Sequence, residues 1–177
     1  MSKPVLIQPG IFNSGAGHWQ TRWEAAHLEF RRVPQRDWDR PVCAEWVATL
    51  EAAVQQAGQE VVIVAHSLGC LTVAHWAAQA HAPIRAALLV AVPDPTGVNF
   101  PVEAQGFAGV PMQPFDFPVI VVASTDDPYG SLAHAERCAT AWGAQLMTIG
   151  ARGHINADSG LGDWAEGFAW LESLRGA

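Results

Sequence analysis

The chain has 177 residues and a formal net charge of −7, a length that supplies one hydrophobic core and predicts a single domain over residues 1–177. Its 10 basic residues form no positive patch, so we expect no nucleic-acid partner. Because no apolar run approaches the roughly 20 residues that span a bilayer and the first residues lack the pattern of a signal peptide, we expect no membrane attachment and a cytoplasmic location.

Six strand-like runs alternate with helical patterns along the chain. The runs are Pro4–Gln8, His27–Val33, Glu60–Ala65, Ala86–Val92, Pro118–Ala123 and Gln145–Ile149. The third and fifth are continuous and β-branched, which is typical of strands buried on both faces of a parallel sheet. The helical patterns are Trp19–Ala26, Val42–Gln56, Leu68–Gln79, Leu132–Trp142 and Trp164–Leu174. This alternation predicts a three-layer α/β fold with right-handed crossovers.

The connection between the fourth and fifth strands is long and irregular in composition. Residues 93–117 contain five prolines and four phenylalanines. Long irregular loops inside compact domains are usually functional. Two interpretations stay open: a meandering connection with a short helix, or a partial cap that walls the active site.

The third strand runs directly into the motif Ala65-His66-Ser67-Leu68-Gly69, with a helical pattern behind it. A serine between small residues at positions −2 and +2, placed where a strand turns into a helix, indicates a nucleophile elbow. The small residues allow the two backbones to approach through a strained turn. The common pattern has glycine at the first small position, and Ala65 departs from it without a large change in size.

A serine hydroxyl becomes a strong nucleophile only when a base takes its proton and a third group orients that base. On this type of fold the expected order is Ser, then an acid, then His. The fifth strand is followed by Asp126 and Asp127, and we assign Asp127 as the acid because Pro128 holds it in an extended conformation. Asp126 is the alternative, and Asp94 is a more remote one. Both Asp126 and Asp127 also suit helix capping.

The last strand is followed by His154 in a glycine-flanked loop, and we predict this residue to be the base. His18 lies near the same edge of the sheet and is a candidate for lining the pocket. His66 adjoins the nucleophile but is expected to point away from it. The remaining histidines are predicted to be surface or packing residues: His27, His75, His81 and His134.

Two backbone amides are needed to bind the oxyanion that forms during acyl transfer. The amide of Leu68 is one candidate, because it follows the nucleophile at a helix N-terminus, where the helix dipole favours negative charge. The amide of Ile11, in the loop after the first strand, is the other. Gly10 would permit the close approach of this loop. We predict that the substrate contacts Gly10, Phe12, His18 and Phe100.

Taken together, the sequence resembles the small α/β-hydrolases grouped with retinoblastoma-binding protein nine and the bacterial YdeN-like proteins. Besides the elbow, the resemblance rests on Gly17-His18-Trp19-Gln20 with Trp23, Gln35-Arg36-Asp37-Trp38, Ser124–Pro128 and Gly153-His154-Ile155-Asn156. It implies a minimal α/β-hydrolase fold without a large lid, with about six mostly parallel strands in the order 2-1-3-4-5-6 and helices on both faces. It also implies a serine hydrolase with the triad Ser67, Asp127 and His154. The L-x-C-x-E motif that binds retinoblastoma protein is absent, so that partner is not expected.

The leading hypothesis is therefore a metal-independent serine hydrolase that cleaves small carboxylic esters through an acyl-enzyme, with an amide or a thioester as the alternative substrate. A non-catalytic protein-binding module on the same scaffold is the alternative, because one fold hosts many functions. A haloperoxidase-like or carbon–carbon-cleaving activity is a third possibility that no residue favours. No metal-ligand or nucleotide-binding spacing occurs, so we expect no metal and no cofactor. The three cysteines are predicted to be reduced and buried: Cys43, Cys70 and Cys138.

Overall fold

The computed structural model describes residues 3–79 and 81–176, so residues 1, 2, 80 and 177 of the predicted domain lie outside it. Six strands form one sheet: β1 (Val5–Gln8), β2 (Phe30–Arg32), β3 (Val62–His66), β4 (Ala86–Val90), β5 (Val119–Ala123) and β6 (Gln145–Thr148). Five α-helices accompany them: α1 (Trp19–Ala26), α2 (Cys43–Ala57), α3 (Leu68–Ala77), α4 (Leu132–Trp142) and α5 (Ala165–Arg175). The strand order is β2-β1-β3-β4-β5-β6, and every neighbouring pair is parallel. The predicted fold class and strand order are confirmed.

All six strands are shorter than the sequence predicts, and two of them are shorter by more than one residue. The second was expected over His27–Val33, but His27 caps the C-terminus of α1 and Leu28 is fully exposed, so pairing begins only at Phe30. The fourth was expected to reach Val92. It ends at Val90, because Ala91 has a φ of 56°, which no strand accommodates.

Alternating side chains of the central strands divide the core into two layers. Ile63 and Ala65 face the apolar side chains of α2, α3 and α4. Val62 and Val64 face Trp19 and Trp23 of α1 together with residues of α5. Strand side chains alternate between faces with a period of two, so a continuous apolar strand such as β3 must be covered on both sides, as its sequence predicts.

The irregular segment 93–117 consists of turns and contains no helix. It packs on the side of the sheet that α2, α3 and α4 cover. There Phe107 is fully buried and contacts the ring of Trp46. Phe115 stacks on Trp142 of α4 at a centroid distance of 5.2 Å. The segment therefore completes the core and leaves Asn99–Pro101 beside the carboxyl edge of the sheet. None of the helices described here is long and apolar enough to cross a membrane.

Candidate active site

Ser67 occupies the sharp turn between β3 and α3. Its backbone has φ 54° and ψ −125°, a conformation that costs a non-glycine residue about 1–3 kcal/mol. Two backbone hydrogen bonds hold it there: Ser67 N–H donates to Val90 O at 2.9 Å, and Cys70 N–H donates to Ser67 O at 2.8 Å. The turn places the serine at the carboxyl edge of the sheet.

The two small residues beside this turn are constrained to different degrees. A Cβ atom on Gly69 would lie 2.4 Å from Gln8 O and 2.7 Å from Pro9 O, so no larger residue fits without moving the backbone of β1. Ala65 is completely buried, in register with Gln8 of the neighbouring strand, and its methyl group belongs to the core. The alanine at position −2 is thus compatible with the turn, whereas glycine at position +2 is required.

The side chains of Ser67, His154 and Asp127 form one hydrogen-bonded row. His154 Nε2 lies 2.7 Å from Ser67 Oγ, and His154 Nδ1 lies 2.9 Å from each carboxylate oxygen of Asp127. The side chains of His154 and Asp127 are only 10% and 2% exposed. This geometry can pass a proton from the serine hydroxyl to the imidazole while a buried carboxylate orients the ring.

The two alternative carboxylates have other partners. Asp126 Oδ1 accepts hydrogen bonds from Ser124 Oγ and from Gly153 N–H, each at 2.7 Å, so this side chain fastens the loop that precedes His154. These bonds hold the pKa of Asp126 below its usual range. Asp94 accepts from the backbone and hydroxyl of Thr96. Of the three aspartates considered, only Asp127 contacts the imidazole.

Two ring N–H groups hold the loop that carries His154 by binding its backbone carbonyls. His66 Nε2 donates to the carbonyl of His154 at 2.8 Å, and Trp19 Nε1 donates to the carbonyl of Ile155 at 2.8 Å. Ile155 has a φ of 50°, an unfavourable value for a β-branched residue. Such a conformation persists only where the surroundings over-determine it. The sequence predicts only that His66 points away from the nucleophile; it does not indicate that the His66 ring binds the loop of the predicted base.

Burial keeps two imidazoles at the site neutral. The pKa of His66 is lowered well below its ordinary value by burial and, to a lesser extent, by the nearby His154 and His18. The pKa of His18 is lowered to about 4 by burial, by the positive charge of Arg32 and by His154. His18 Nδ1 accepts a hydrogen bond from the backbone N–H of Gln20, and its Nε2 is buried with no partner among the described residues.

The backbone of Gly10 passes very close to the elbow. A Cβ atom at this position would lie 2.8 Å from Ser67 Cβ and 3.3 Å from Leu68 N. Leu68 is the first residue of α3, so its N–H has no acceptor within the helix. Ile11 follows Gly10 directly and lines the same cavity as Ser67. The two amides predicted to bind an oxyanion are therefore near neighbours.

A cavity of about 290 Å³ opens above Ser67 and His154. The four predicted substrate-contacting residues, Gly10, Phe12, His18 and Phe100, all line it. Sequence reasoning missed several other lining residues, namely Asn13, His66, Pro93, Asn99, Pro101, Tyr129 and Asn156. Tyr129 packs its ring 4.5 Å from that of His154, and its place directly after the Asp-Asp-Pro motif was a usable signal.

The three cysteines are free and buried, as predicted. Burial raises the pKa of the Cys43 and Cys138 thiols to about 11, and Cys70 Sγ donates to Val90 O at 3.3 Å. Thiols of this kind are chemically inert. Within residues 3–79 and 81–176, no group of three or more His, Cys, Asp or Glu side chains is arranged to hold a metal ion.

Comparison with known proteins places these features in a family. A family model described as serine hydrolase matches residues 5–173. The structure of a YdeN-like hydrolase from Pectobacterium atrosepticum is similar, with a TM-score of 0.85 and 30% identity over 97% of this chain and 90% of that one. The ydeN gene product of B. subtilis aligns with a TM-score of 0.82 and 22% identity, over 99% of this chain and 100% of that one.

A more distant structural neighbour is a thermophilic esterase from Thermogutta terrifontis, with a TM-score of 0.67 and 17% identity over 97% of this chain and 90% of that one. No curated protein matches the sequence significantly. The similarity to YdeN-like hydrolases and the match over nearly the whole chain confirm the resemblance seen in the sequence. The chain belongs to the serine hydrolase family.

Proposed function

We propose that this serine hydrolase cleaves small carboxylic esters through an acyl-enzyme formed on Ser67. The observation that carries the proposal is the continuous row from Ser67 Oγ to His154 Nε2, and from His154 Nδ1 to the carboxylate of Asp127. The geometry equally suits the related acyl transfers from amides and thioesters. Esters are preferred to amides because an alcohol leaves with less protonation than an amine does.

In the first half-reaction, Ser67 Oγ attacks the ester carbonyl carbon while His154 Nε2 takes its proton. The tetrahedral intermediate then expels the alcohol, to which His154 returns the proton. In the second half-reaction, His154 takes a proton from water as the water attacks the acyl carbon, and the carboxylic acid leaves as the proton returns to Ser67. Asp127 stabilises the imidazolium formed in each half-reaction.

The negative charge on the carbonyl oxygen would be bound by the amides of Leu68 and Ile11. The close approach of Gly10 to Leu68 N supports this pair, and the N-terminus of α3 adds a favourable dipole. Preorganised donors of this kind supply about 2.7–4 kcal/mol each to transition-state binding.

His66 and Trp19 act as positioning residues for the base. They bind two consecutive carbonyls, those of His154 and Ile155, and come from different elements of the fold. Neither ring needs to touch the substrate for this role. Reaction rates are sensitive to placement, since a displacement of about 1 Å can cost about 100-fold, so the two bonds help to keep Nε2 of His154 within reach of Ser67.

The cavity favours small acyl groups with apolar character. Its volume of about 290 Å³ lies at the lower end of ordinary ligand pockets. Phe12 and Phe100 contribute aromatic walls, and the position of Phe100 supports a role for segment 93–117 as a partial cap. The family membership favours an enzyme over the non-catalytic binding module considered above.

Hydrolysis of p-nitrophenyl acetate and p-nitrophenyl butyrate tests this proposal. We expect turnover by the wild-type protein and a loss of at least about 10³-fold in Ser67→Ala, because the nucleophile is removed. Ser173→Ala is the matched control: its hydroxyl sits on α5, bound to Trp170 O, and turnover should stay within about twofold. Persistent turnover in Ser67→Ala would refute the proposal.

A further inference from the structure

We propose that His18 presents an uncharged N–H donor to the cavity and that the preferred ester substrates carry a neutral oxygen acceptor, such as an ether, hydroxyl or keto oxygen, which this donor binds. The inference rests on the proposed esterase function, because it concerns a second contact of the ester cleaved at Ser67. It narrows the substrate class from small esters to oxygen-substituted ones.

The hydrogen bonds of the His18 ring fix which of its nitrogens carries the proton. Nδ1 accepts a hydrogen bond from the backbone N–H of Gln20 at 3.1 Å, in the first turn of α1. An accepting ring nitrogen carries no proton, so the proton of the neutral imidazole is on Nε2. The tautomer is therefore fixed before any ligand binds, and Nε2 is the donor.

The ring N–H at Nε2 has no acceptor within the part of the chain that the structure describes. His18 is 4% exposed, and Nε2 is buried without a partner among the described residues. The great majority of buried polar atoms are paired, and an unpaired one costs about 1–3 kcal/mol. Gln35, which carries the other such atom described, does not line the cavity, whereas His18 borders it. Because Nε2 itself is buried, a ligand oxygen reaches it only when the side chains around the ring shift to admit the ligand. An acceptor oxygen that arrives with a ligand would remove this cost.

The charge state of the His18 ring determines which acceptors it favours. The pKa of His18 is held at about 4 by burial and by the charges of Arg32 and His154, so the ring is neutral above about pH 5. A neutral ring offers a carboxylate no ion pair. The neighbouring rings of His66 and Trp19, at 4.7 and 5.2 Å, provide no positive charge in place of it. The guanidinium of Arg32 is already paired with the carboxylate of Glu24 at 2.6 Å. An uncharged oxygen avoids the cost of burying a charge.

The distance between His18 and the catalytic residues limits where the oxygen can sit in the substrate. The ring of His18 lies 4.7 Å from that of His66, which lies 5.0 Å from that of His154. The rings of His18 and His154 are therefore less than about 10 Å apart, so one small ester can place its carbonyl at Ser67 and a further oxygen beside His18. The remaining walls combine apolar side chains, such as Phe12, Phe100 and Leu68, with the polar side chains of Asn13, Asn99, Tyr129 and Asn156. A substituent that carries an oxygen beside apolar carbon atoms suits these mixed walls.

Isosteric ester pairs test the proposal on either side of the scissile bond. The acyl pair is p-nitrophenyl 3-methoxypropanoate and p-nitrophenyl pentanoate, which differ by oxygen in place of one methylene. The alcohol pair is 2-methoxyethyl acetate and butyl acetate. Each ratio of kcat/KM is divided by the ratio of the hydroxide-catalysed rates, which removes the inductive effect of the oxygen. We expect a wild-type preference for the ether of about 3- to 10-fold in at least one pair.

Two variants identify the donor. His18→Asn keeps a side-chain oxygen that can accept from Gln20 N–H at the helix N-cap, while its shorter amide group does not reach the position of Nε2. His18→Phe keeps the ring without a donor. Both should lower the normalised preference to about one, and thermal unfolding reports whether each variant is folded. A wild-type preference near one in both pairs, or one that both variants retain, would overturn the inference. Ser67-dependent turnover of the alkyl esters would leave the proposed function intact in that case, whereas its absence would overturn both.

Discussion

The substitution Gly10→Ala should disable the enzyme without unfolding it. The new Cβ atom would lie 2.8 Å from Ser67 Cβ, 3.2 Å from His66 O and 3.3 Å from Leu68 N. Carbon atoms in contact are normally about 3.5–4.0 Å apart. The loop must therefore retreat from the elbow by about 1 Å, and it carries the amide of Ile11 with it.

The size of the effect follows from that displacement. Removing one oxyanion donor costs about 10²–10³-fold in kcat, and a displacement of about 1 Å alone can cost about 100-fold. We therefore expect kcat for p-nitrophenyl acetate to fall by about 100-fold, equivalent to about 2.7 kcal/mol. Overpacking costs folding stability about 1–3 kcal/mol, which urea denaturation measures separately.

Gly15→Ala is the matched control for this prediction, since it lies in the same loop and its Cβ would meet nothing within 4 Å. Its kcat should stay within about twofold of wild type. Equal activity of Gly10→Ala and Gly15→Ala would refute the assignment of the Ile11 amide to the oxyanion site.

Three further predictions concern buried side chains. His66→Phe should lower kcat by about 10- to 100-fold with little change in KM. His75→Phe is the control: it removes a hydrogen bond between the ring and the carbonyl of Phe107 outside the site, and kcat should not fall. Equal effects of the two substitutions on kcat would contradict the positioning role of His66. Burial lowers the pKa of His18 from 6.5 to about 4. Between pH 6.5 and pH 4 the unfolded chain therefore binds a proton at His18 that the folded chain does not, so the folded state loses stability as the pH falls. The free energy of unfolding should drop by about 2 kcal/mol more in wild type than in His18→Asn between pH 7 and pH 5, and parallel pH profiles would contradict this. All three thiols should react with a disulfide reagent only after unfolding; rapid labelling of native Cys70 would disagree.

The fold was largely predictable because its signals are local. Continuous apolar runs mark strands buried on both faces, and the bounds of Trp19–Ala26 and Leu132–Trp142 match the predicted helices. The row of Ser67, Asp127 and His154 was also expected, since the ends of parallel strands meet at one edge of the sheet. The end of β4 at Val90 was not, because the positive φ of Ala91 is set by its surroundings and not by its type.

The parts of the site that sequence reasoning missed depend on contacts between distant residues. His66 binds the carbonyl of a residue 88 positions away, and no periodicity or spacing encodes such a bond. Asn99 lines the cavity because the irregular segment 93–117 packs on the side of the sheet that α2, α3 and α4 cover. The choice between Asp126 and Asp127 was argued from Pro128 alone, whereas in the structure the hydrogen bonds of Asp126 to Ser124 and Gly153 separate the two.

Labelling with a fluorophosphonate tests the central claim most directly, because this reagent reports an activated serine without any assumption about the substrate. Intact-mass analysis of the wild-type protein should show one adduct per chain, and peptide mapping should place it on Ser67. Ser67→Ala should remain unlabelled, and His154→Ala should label far more slowly because the serine proton has no acceptor. An adduct on another residue, or equal labelling of the wild type and Ser67→Ala, would contradict the account.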